Sequence, residues 1–311
     1  MPGVPGEITP GRVLRWVAIF VVGWVLLSAL LFVVSAQLEE GVSAEAEAAL
    51  SGGGSFFTGA TTLVLGSDQR KASSIDPSQA PGRADTLMLL HSAFGSVRKL
   101  SIPRDAAAPI PGHGTQKINA AYALGGPALT IETVEQFLGN GLKIHHIVEV
   151  DFADFPAFID ALGGITVNNK SRICSPEFDN FFRGFNLPKG EQELDGRTAL
   201  GFSRVRKNPC APGENDLDRA ERQQEVLSGI KGKLFSPGTF IRLPWVSWKA
   251  PKALRSDLKA PGLTGLALDV GSGGVGQTEV LKPSCLGCGP GGSLLVSDGE
   301  KQAAVDRLLG R

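Results

Sequence analysis

Arg204 and Arg206 are two arginines, two positions apart, whose spacing suits the binding of an anion. The segment 201–206 (GFSRVR) alternates as a β-strand does, which predicts that both side chains lie on the same face. Two guanidinium groups on one face repel each other unless an anion lies between them, and arginine binds phosphate through paired hydrogen bonds. The spacing therefore predicts a phosphate-binding strand.

A predicted helix over residues 217–234 adds further polar side chains to this set. Its apolar stripe contains Leu227 and Ile230, and helical spacing carries that stripe back to Gln223 and Arg219. Because a buried charge without a partner is costly, Arg219 is expected to have one. It either forms a salt bridge with a carboxylate of the protein or lines a pocket that holds an anion, and the sequence leaves both open.

Carboxylates stand at the ends of two predicted strands near the start of the domain. Asp68 follows the apolar run 61–65, and Asp85 precedes the apolar run 86–91. If those strands are neighbours, both carboxylates lie near one edge of the sheet. They would there suit Mg²⁺, which prefers oxygen ligands and shares them with phosphates. The alternative is that they are turn and capping residues, paired with nearby arginines such as Arg83.

A third strand end repeats this combination of arginine and aspartate. Arg104 and Asp105 follow the apolar run 97–102. Three successive strand ends that each carry both residue types indicate one charged site rather than scattered surface residues.

Helices and strands alternate along the chain in a way that would bring these strand ends together. The predicted strands are 61–65, 86–91, 97–102, 146–150 and 165–167, and the predicted helices are 127–138, 153–162, 217–234 and 300–309. Buried strands between helices are typical of an α/β fold, so we expect an α-β-α sandwich with a central mixed sheet. Residues 235–311 are rich in Gly and Pro, and we interpret them as the trailing edge of the same domain.

An uncharged segment near the start of the chain predicts a membrane helix. Residues 16–36 are long enough to cross a bilayer, and Arg12 and Arg15 precede them. The positive-inside rule then predicts a cytoplasmic N-terminus and an exported remainder. A cleaved signal peptide ending at 34–36 is the alternative, although its apolar stretch would be unusually long. The predicted parts are cytoplasmic residues 1–15, anchor 16–36, stalk and linker 37–59, and extracytoplasmic domain 60–311.

The charge balance excludes two classes of protein. The chain has 31 Lys and Arg against 31 Asp and Glu, a net charge of zero, which argues against a nucleic-acid-binding protein. Its 42% of hydrophobic residues also excludes an acidic disordered chain. Leaving out residues 1–59 removes two arginines and five glutamates, so the exported domain keeps 29 bases and 26 acids.

Four cysteines lie in the exported part, where two disulfides are expected. Of the three possible pairings we favour Cys174 with Cys210 and Cys285 with Cys288. A redox or zinc function of the CxxC at 285–288 would need a thioredoxin-like context or a second pair of ligands. The sequence leaves the connectivity open.

In seven successive motifs the sequence resembles the LytR-CpsA-Psr family. These motifs lie within residues 61–236 and are, in chain order, LVLGSDQR, GRADTLMLL, LSIPRDAAAPIPGHG, QKINAAYALGG, VEVDFADFPAFIDALGGITV, LDGRTALGFSRVR and DLDRAERQQ. The resemblance implies an extracytoplasmic α/β domain on one membrane anchor. It also implies a phosphotransferase that moves a glycopolymer from a polyprenyl-pyrophosphate carrier onto a muramic-acid hydroxyl of peptidoglycan, forming a phosphodiester.

The resemblance further implies roles for individual residues. Mg²⁺ would be held by Asp68 and Asp85, and Asp85 or Asp105 would serve as general base if one is needed. The expected catalytic residues are Arg83, Asp85, Arg104 and Asp105. The residues expected to bind the pyrophosphate are Arg83, Arg104, Lys117, Arg204, Arg206, Arg219 and Gln223. Between Arg206 and Arg219 the chain departs from the family by an insert, KNPCAPGENDLD, which we expect to affect the choice of acceptor or polymer.

Two other functions would use the same residues. A polyprenyl-pyrophosphate hydrolase would replace the glycan acceptor by water, and a carrier-binding protein would hold the lipid without turnover.

Overall fold

The computed structural model describes residues 10–39, 41–54, 59–67, 84–93, 96–175, 184–205, 208–214, 216–272 and 279–311. The helices are α1 (Pro10–Leu38), α2 (Ala44–Ala49), α3 (Ala120–Leu138), α4 (Phe155–Leu162), α5 (Gly196–Arg204), α6 (Asp216–Leu234), α7 (Pro237–Lys249), α8 (Ala260–Ser272) and α9 (Asp298–Leu309). The strands are β1 (Ala60–Ser67), β2 (Ala84–Ala93), β3 (Ser96–Ile102), β4 (Ala107–Ile110), β5 (Gly114–Lys117), β6 (His146–Asp151), β7 (Ile165–Asn169), β8 (Ile173–Ser175), β9 (Phe185–Leu187), β10 (Gly190–Leu194), β11 (Leu254–Ser256) and β12 (Glu279–Val280).

Helix α1 contains the predicted anchor 16–36. Within the described ranges it is the one helix that is long and apolar enough to cross a membrane. Most of its large apolar side chains are exposed, as expected for a helix that faces lipid rather than protein.

Six strands form the central sheet, in the order β11-β6-β1-β2-β3-β12. Strands β1, β2 and β3 are antiparallel neighbours, whereas β6 runs parallel to β1, so the sheet is mixed as predicted. The register places Ser67 opposite both Ala84 and Asp151, and Leu87 opposite Ile102. The end of β1, the start of β2 and the ends of β3 and β6 therefore meet at one edge of the sheet, which we call the site edge.

Helices cover both faces of this sheet. Alternate strand residues such as Leu89 pack in one core with α3 and α9. Residues of the opposite parity, such as Met88, pack with Leu227 of α6 and Leu266 of α8. The predicted α-β-α sandwich is confirmed.

A second apolar core lies beside the sandwich. It joins α4, α5, α6 and α7 to the two-stranded sheet of β7 and β10, through buried side chains that include Ile159, Phe202 and Val246. Both predicted disulfides are present, Cys174–Cys210 and Cys285–Cys288.

The prediction of a strand over 201–206 is wrong, because α5 continues as a helix to Arg204. Asp195 caps this helix, and its side chain accepts a 2.8 Å hydrogen bond from the backbone N of Thr198. Phe202 is fully buried in the second core. The short alternation of polar and apolar residues at 201–206 therefore did not predict the structure. The helix cap and the burial of one helical face favour a helix instead.

Two other elements depart from prediction. Helix α3 starts at Ala120 rather than at residue 127, and non-helical backbone at Gly125 and Gly126 divides it, with a φ of +64° at Gly126. The C-terminal part contains α7, α8 and short strands in addition to the predicted last helix. Pro244 inside α7 weakened the helical pattern in the sequence.

Candidate functional site

Asp85 and Arg104 form the centre of the charged cluster at the site edge. Asp85 is the second residue of β2, and Arg104 follows β3, whose antiparallel pairing with β2 brings the two side chains together. Nη1 of Arg104 donates a 2.5 Å hydrogen bond to Oδ1 of Asp85. Arg104 is buried, whereas the Asp85 side chain remains 20% exposed. The carboxylate is therefore held rigidly and is still accessible.

Arg204 reaches the same carboxylate from the last turn of α5. Its Nη2 lies 3.7 Å from Oδ2 of Asp85. Its guanidinium lies 4.9 Å from the centre of the Phe152 ring, a cation–π distance that orients the group. Arg204 thus approaches Asp85 from the end of a helix, whereas the sequence predicted that it lies on a strand.

Arg219 and Gln223 complete one wall of a cleft at the site edge. The cleft has an empty volume of about 300 Å³, including its open mouth. Its lining comprises Asp85, Thr86, Leu87, Ser101, Ile102, Pro103, Arg219, Ala220, Gln223 and Val280. Arg219 is buried and lines the same cleft as Asp85, and the choice between a salt bridge and an anion pocket stays open.

Arg222 directly precedes Gln223 on α6 but makes different contacts. Its Nη1 is 2.8 Å from Oε2 of Glu214, and its Nη2 donates a 2.7 Å hydrogen bond to the carbonyl oxygen of Val205. Arg222 therefore ties the end of α5 and the loop before α6 to α6 itself, and its role is structural.

Asp105 and Lys117 lie behind Arg104. Nζ of Lys117 is 3.2 Å from Oδ1 of Asp105, and Nε of Arg104 is 3.9 Å from Oδ2 of Asp105. The backbone N of Asn119 also donates a 3.1 Å hydrogen bond to the carbonyl oxygen of Arg104. Asp105 thus positions Arg104, and neither Asp105 nor Lys117 lines the cleft.

Three of the predicted site residues, Asp68, Arg83 and Arg206, lie outside the described residues. Their proposed roles remain predictions. The described residues next to two of them, Ser67 and Ala84, pair with each other at the site edge.

A buried acidic group at the same edge of the sheet was missed by the sequence reasoning. The hydroxyl of Tyr122 donates a 2.6 Å hydrogen bond to Oε1 of Glu149, and burial raises the pKa of the Glu149 carboxyl above its ordinary value. Nearby, Nη2 of Arg255 lies 3.4 Å from Oδ2 of Asp151. The sequence did contain a signal for this group, because Glu149 and Asp151 are two acidic residues in the mostly apolar strand β6.

The electrostatics of the cleft favour an anion. The guanidinium groups of Arg104 and Arg204 lie against the Asp85 carboxylate, and Arg219 lines the same cleft as Asp85. Electrostatic interactions in such a partly buried space are less screened than in water. Arginine forks suit phosphate oxygens, so phosphate is the kind of anion that these side chains would bind.

Fold and site together define an α/β protein with a cleft at one sheet edge that Asp85 and Arg219 line, attached to an apolar N-terminal helix. The chain belongs to the LytR_cpsA_psr family, whose model matches residues 45–282. This membership confirms the resemblance seen in the sequence motifs.

Two relatives illustrate the similarity. The probable cell wall biosynthesis protein LcpB of Corynebacterium glutamicum is 35% identical over 192 residues, which cover 59% of this chain and 44% of that protein. The polyisoprenyl-teichoic acid–peptidoglycan teichoic acid transferase TagT of Bacillus subtilis is 37% identical over 174 residues, which cover 56% of this chain and 52% of that protein. The chain therefore spans about half the length of these curated relatives.

Solved structures share the fold. TagV of B. subtilis superimposes with a TM-score of 0.64 at 26% identity, covering 81% of this chain and 96% of that chain. The structure described as TagT bound to LIIa-WTA superimposes with a TM-score of 0.59 at 27% identity, covering 82% of this chain and 92% of that chain.

Proposed function

We propose that this protein is a phosphotransferase that moves a glycopolymer from a polyprenyl-pyrophosphate carrier onto peptidoglycan. The observation that carries the proposal is the contact of Arg104 and Arg204 with Asp85, a carboxylate that lines one cleft together with Arg219. The similarity to TagT, which is named as a teichoic acid transferase acting between a polyisoprenyl carrier and peptidoglycan, supports the same reaction class.

The arginines would act on the charge that develops during transfer. An acceptor hydroxyl oxygen attacks the phosphorus that carries the glycopolymer, while the bond from that phosphorus to the polyprenyl phosphate oxygen breaks. The products are a phosphodiester and polyprenyl phosphate, on which negative charge accumulates. Arg204, which approaches Asp85, and Arg219, which lines the same cleft, would stabilise that charge, and Arg104 is hydrogen-bonded to Asp85. Catalysis of this kind depends mainly on positioning and preorganised electrostatics.

Asp85 is better placed than Asp105 to receive the hydroxyl proton. The Asp85 carboxylate lines the cleft, whereas Asp105 lies behind Arg104 and contacts Lys117. A general base must come within hydrogen-bond reach of the proton it takes, which favours Asp85.

We also propose that the site uses Mg²⁺. In the described part of the chain no cluster of three or more His, Cys, Asp or Glu side chains suits a metal ion. The partly exposed Asp85 carboxylate beside an anion cleft nevertheless fits the usual Mg²⁺ donor set of one or two carboxylates completed by substrate phosphates. Asp85 would hold the ion together with Asp68, and the ion when bound would draw negative charge from the pyrophosphate.

The transfer reaction can be tested with the full chain in nanodiscs. A polyprenyl-pyrophosphate-linked glycopolymer is supplied with and without peptidoglycan, and glycopolymer joined to peptidoglycan is measured. We expect product only when peptidoglycan is present. Polyprenyl phosphate released equally without peptidoglycan would indicate the hydrolase, and tight binding with no product in either case would indicate the carrier-binding protein. A chelator added before the substrate should abolish transfer, and added Mg²⁺ should restore it.

The proposed location is the cell membrane, with residues 1–15 in the cytoplasm and the domain outside. The apolar helix α1, the basic residues Arg12 and Arg15 before its uncharged stretch 16–36, and two disulfides after it support this orientation. A reporter enzyme fused after residue 59 should be active outside the membrane, and activity confined to the cytoplasm would contradict the orientation.

A further inference from the structure

Helix α7 carries an apolar face that no described part of the protein covers. Outside α1, seven large apolar side chains are exposed in the described residues, and four of them lie within residues 235–245. They are Phe235, which lies just before α7, and Phe240, Ile241 and Trp245 of α7, with exposures of 66%, 40%, 73% and 60%. We call these four residues the α7 apolar face. Soluble surfaces rarely group so many large apolar side chains, and such a patch marks a site of interaction.

The opposite side of α7 is packed in the domain. Thr239 and Val246 are buried, and Val246 belongs to the second core. The Arg242 guanidinium reaches Gly163, at the C-terminal end of α4, where a cation is favourable. The α7 apolar face is therefore presented outward by a helix that is fixed in the domain.

Helix α7 also packs directly along α1. The indole Nε1 of Trp24 donates a 2.9 Å hydrogen bond to the carbonyl oxygen of Phe240, and the hydroxyl of Ser35 donates one of 2.8 Å to that of Trp248. Both helices run in the same direction, because the two contacts follow the same order along each. The 11 residues from Trp24 to Ser35 span about 16 Å of helix, roughly half of a hydrocarbon core of about 30 Å.

Residues typical of a membrane interface mark the outer end of this contact. Nζ of Lys249 lies 5.6 Å from the centre of the Trp245 ring, and Nζ of Lys252 lies 5.1 Å from that of Trp248. Lys252 also lies 3.2 Å from Glu39, directly after α1. All four tryptophans of the chain lie on α1 or α7. Tryptophan and lysine at this level are characteristic of the lipid–water boundary.

We propose that the α7 apolar face inserts into the outer leaflet of the membrane that α1 crosses. The inference rests on the proposed anchoring by α1, and it assigns lipid acyl chains as the partner of this surface. Continuity of the face with α1, together with the interfacial residues at its outer end, favours lipid over a second protein. Insertion of α7 would hold the catalytic domain against the bilayer, where a polyprenyl carrier resides.

Fluorescence quenching by brominated lipid tests this directly in the full chain. The protein is reconstituted in phosphatidylcholine nanodiscs with either ordinary or brominated acyl chains, and each tryptophan is replaced by Phe in turn. The emission lost in Trp245→Phe reports Trp245 alone, and Phe keeps the face apolar. We expect brominated lipid to quench most of the Trp245 emission and aqueous iodide to leave it unchanged.

Trp24→Phe provides the matched reference, because Trp24 should be quenched by brominated lipid if α1 spans the bilayer. Quenching of Trp24 but not of Trp245, with Trp245 accessible to iodide, would overturn the insertion and leave the anchor intact. Protection of Trp245 from both quenchers would overturn it in favour of a protein partner such as a second copy. If brominated lipid quenched neither Trp245 nor Trp24, both the insertion of α7 and the proposal that α1 spans the bilayer would be overturned. None of these measurements depends on turnover, so they are separate from the test of transfer.

Discussion

Arg104 donates a 2.5 Å hydrogen bond to Asp85, although the two residues are 19 positions apart in the chain. The bond joins the end of β3 to the start of β2, and Arg204 of α5 approaches the second carboxylate oxygen at 3.7 Å. One aspartate thus holds two guanidinium groups that would repel each other without it. In the proposed reaction these charges would be in place before the substrate binds.

Asp85→Asn should lower the transfer rate by about 10²–10³-fold, a loss of the size found when one hydrogen-bonding group is removed from a preorganised catalytic site. Asn keeps the size of the side chain but cannot neutralise the guanidinium groups of Arg104 and Arg204. The measurement is single-turnover transfer to peptidoglycan. Asp298→Asn, at the exposed start of α9, serves as control. An unchanged rate in Asp85→Asn would contradict a catalytic role and would favour the alternative of a structural residue paired with nearby arginines.

Two arginine-to-lysine changes separate binding from structure. Arg204→Lys keeps the charge but loses the planar fork, so transfer should fall by about 10²-fold while the melting temperature changes little. Arg222→Lys should instead destabilise the fold by about 1–3 kcal/mol, because the buried hydrogen bonds to Glu214 and Val205 are lost. Transfer rates and thermal unfolding are measured for both variants in the same detergent. Identical behaviour of the two variants would contradict the division of roles.

The two disulfides should differ in their effect on stability. Cys174–Cys210 closes a loop with a sequence separation of 36, and Cys285–Cys288 one with a separation of 3. Loop-closure entropy predicts a loss of about 4 kcal/mol for the double Ser variant of the first pair and about 2 kcal/mol for that of the second. Chemical denaturation of both variants under oxidising conditions measures the difference. A larger loss for the second pair would contradict the entropic account.

Two histidines should make the protein less stable in acid. Burial is the main cause that lowers the pKa of His91 below its ordinary value, followed by the charges of Arg98 and His145. Burial likewise lowers the pKa of His145, helped by His146 and opposed by Glu135. Because the unfolded chain binds these protons at higher pH than the folded chain, stability is lost as the pH falls below about 6.5.

The loss is about 1.4 kcal/mol for each unit by which a pKa is lowered. It can be followed by thermal unfolding between neutral and mildly acidic pH. His145→Asn is a suitable variant, since Nδ1 of His145 accepts a 3.1 Å hydrogen bond from the backbone N of Thr61 that an Asn oxygen can replace. Its unfolding should depend less on pH than that of the unchanged protein. Equal pH dependence in both would remove His145 from the explanation.

Much of the fold follows from local patterns in the sequence. The apolar runs that became β1, β2, β3 and β6 were recognisable because strands buried on both faces need continuous apolar residues. The buried Glu149 and its partner Tyr122 escaped notice, since they are 27 positions apart and nothing local joins them. Helix α7 was missed because its glycine and proline residues obscure the helical period, and its apolar side faces away from the domain.

The sequence by itself determined the apolar anchor helix, the alternation of strands and helices, and the presence of arginines and aspartates at strand ends. These depend on local periodicity and composition, which a single chain displays directly. Only the tertiary structure decided which residues each arginine side chain lies against. Arg204 lies beside Asp85 and Arg219 lines the same cleft, whereas Arg222 contacts Glu214, because packing of α5 and α6 sets the direction of each side chain. Side-chain direction depends on contacts between segments distant in sequence, and local patterns do not contain that information.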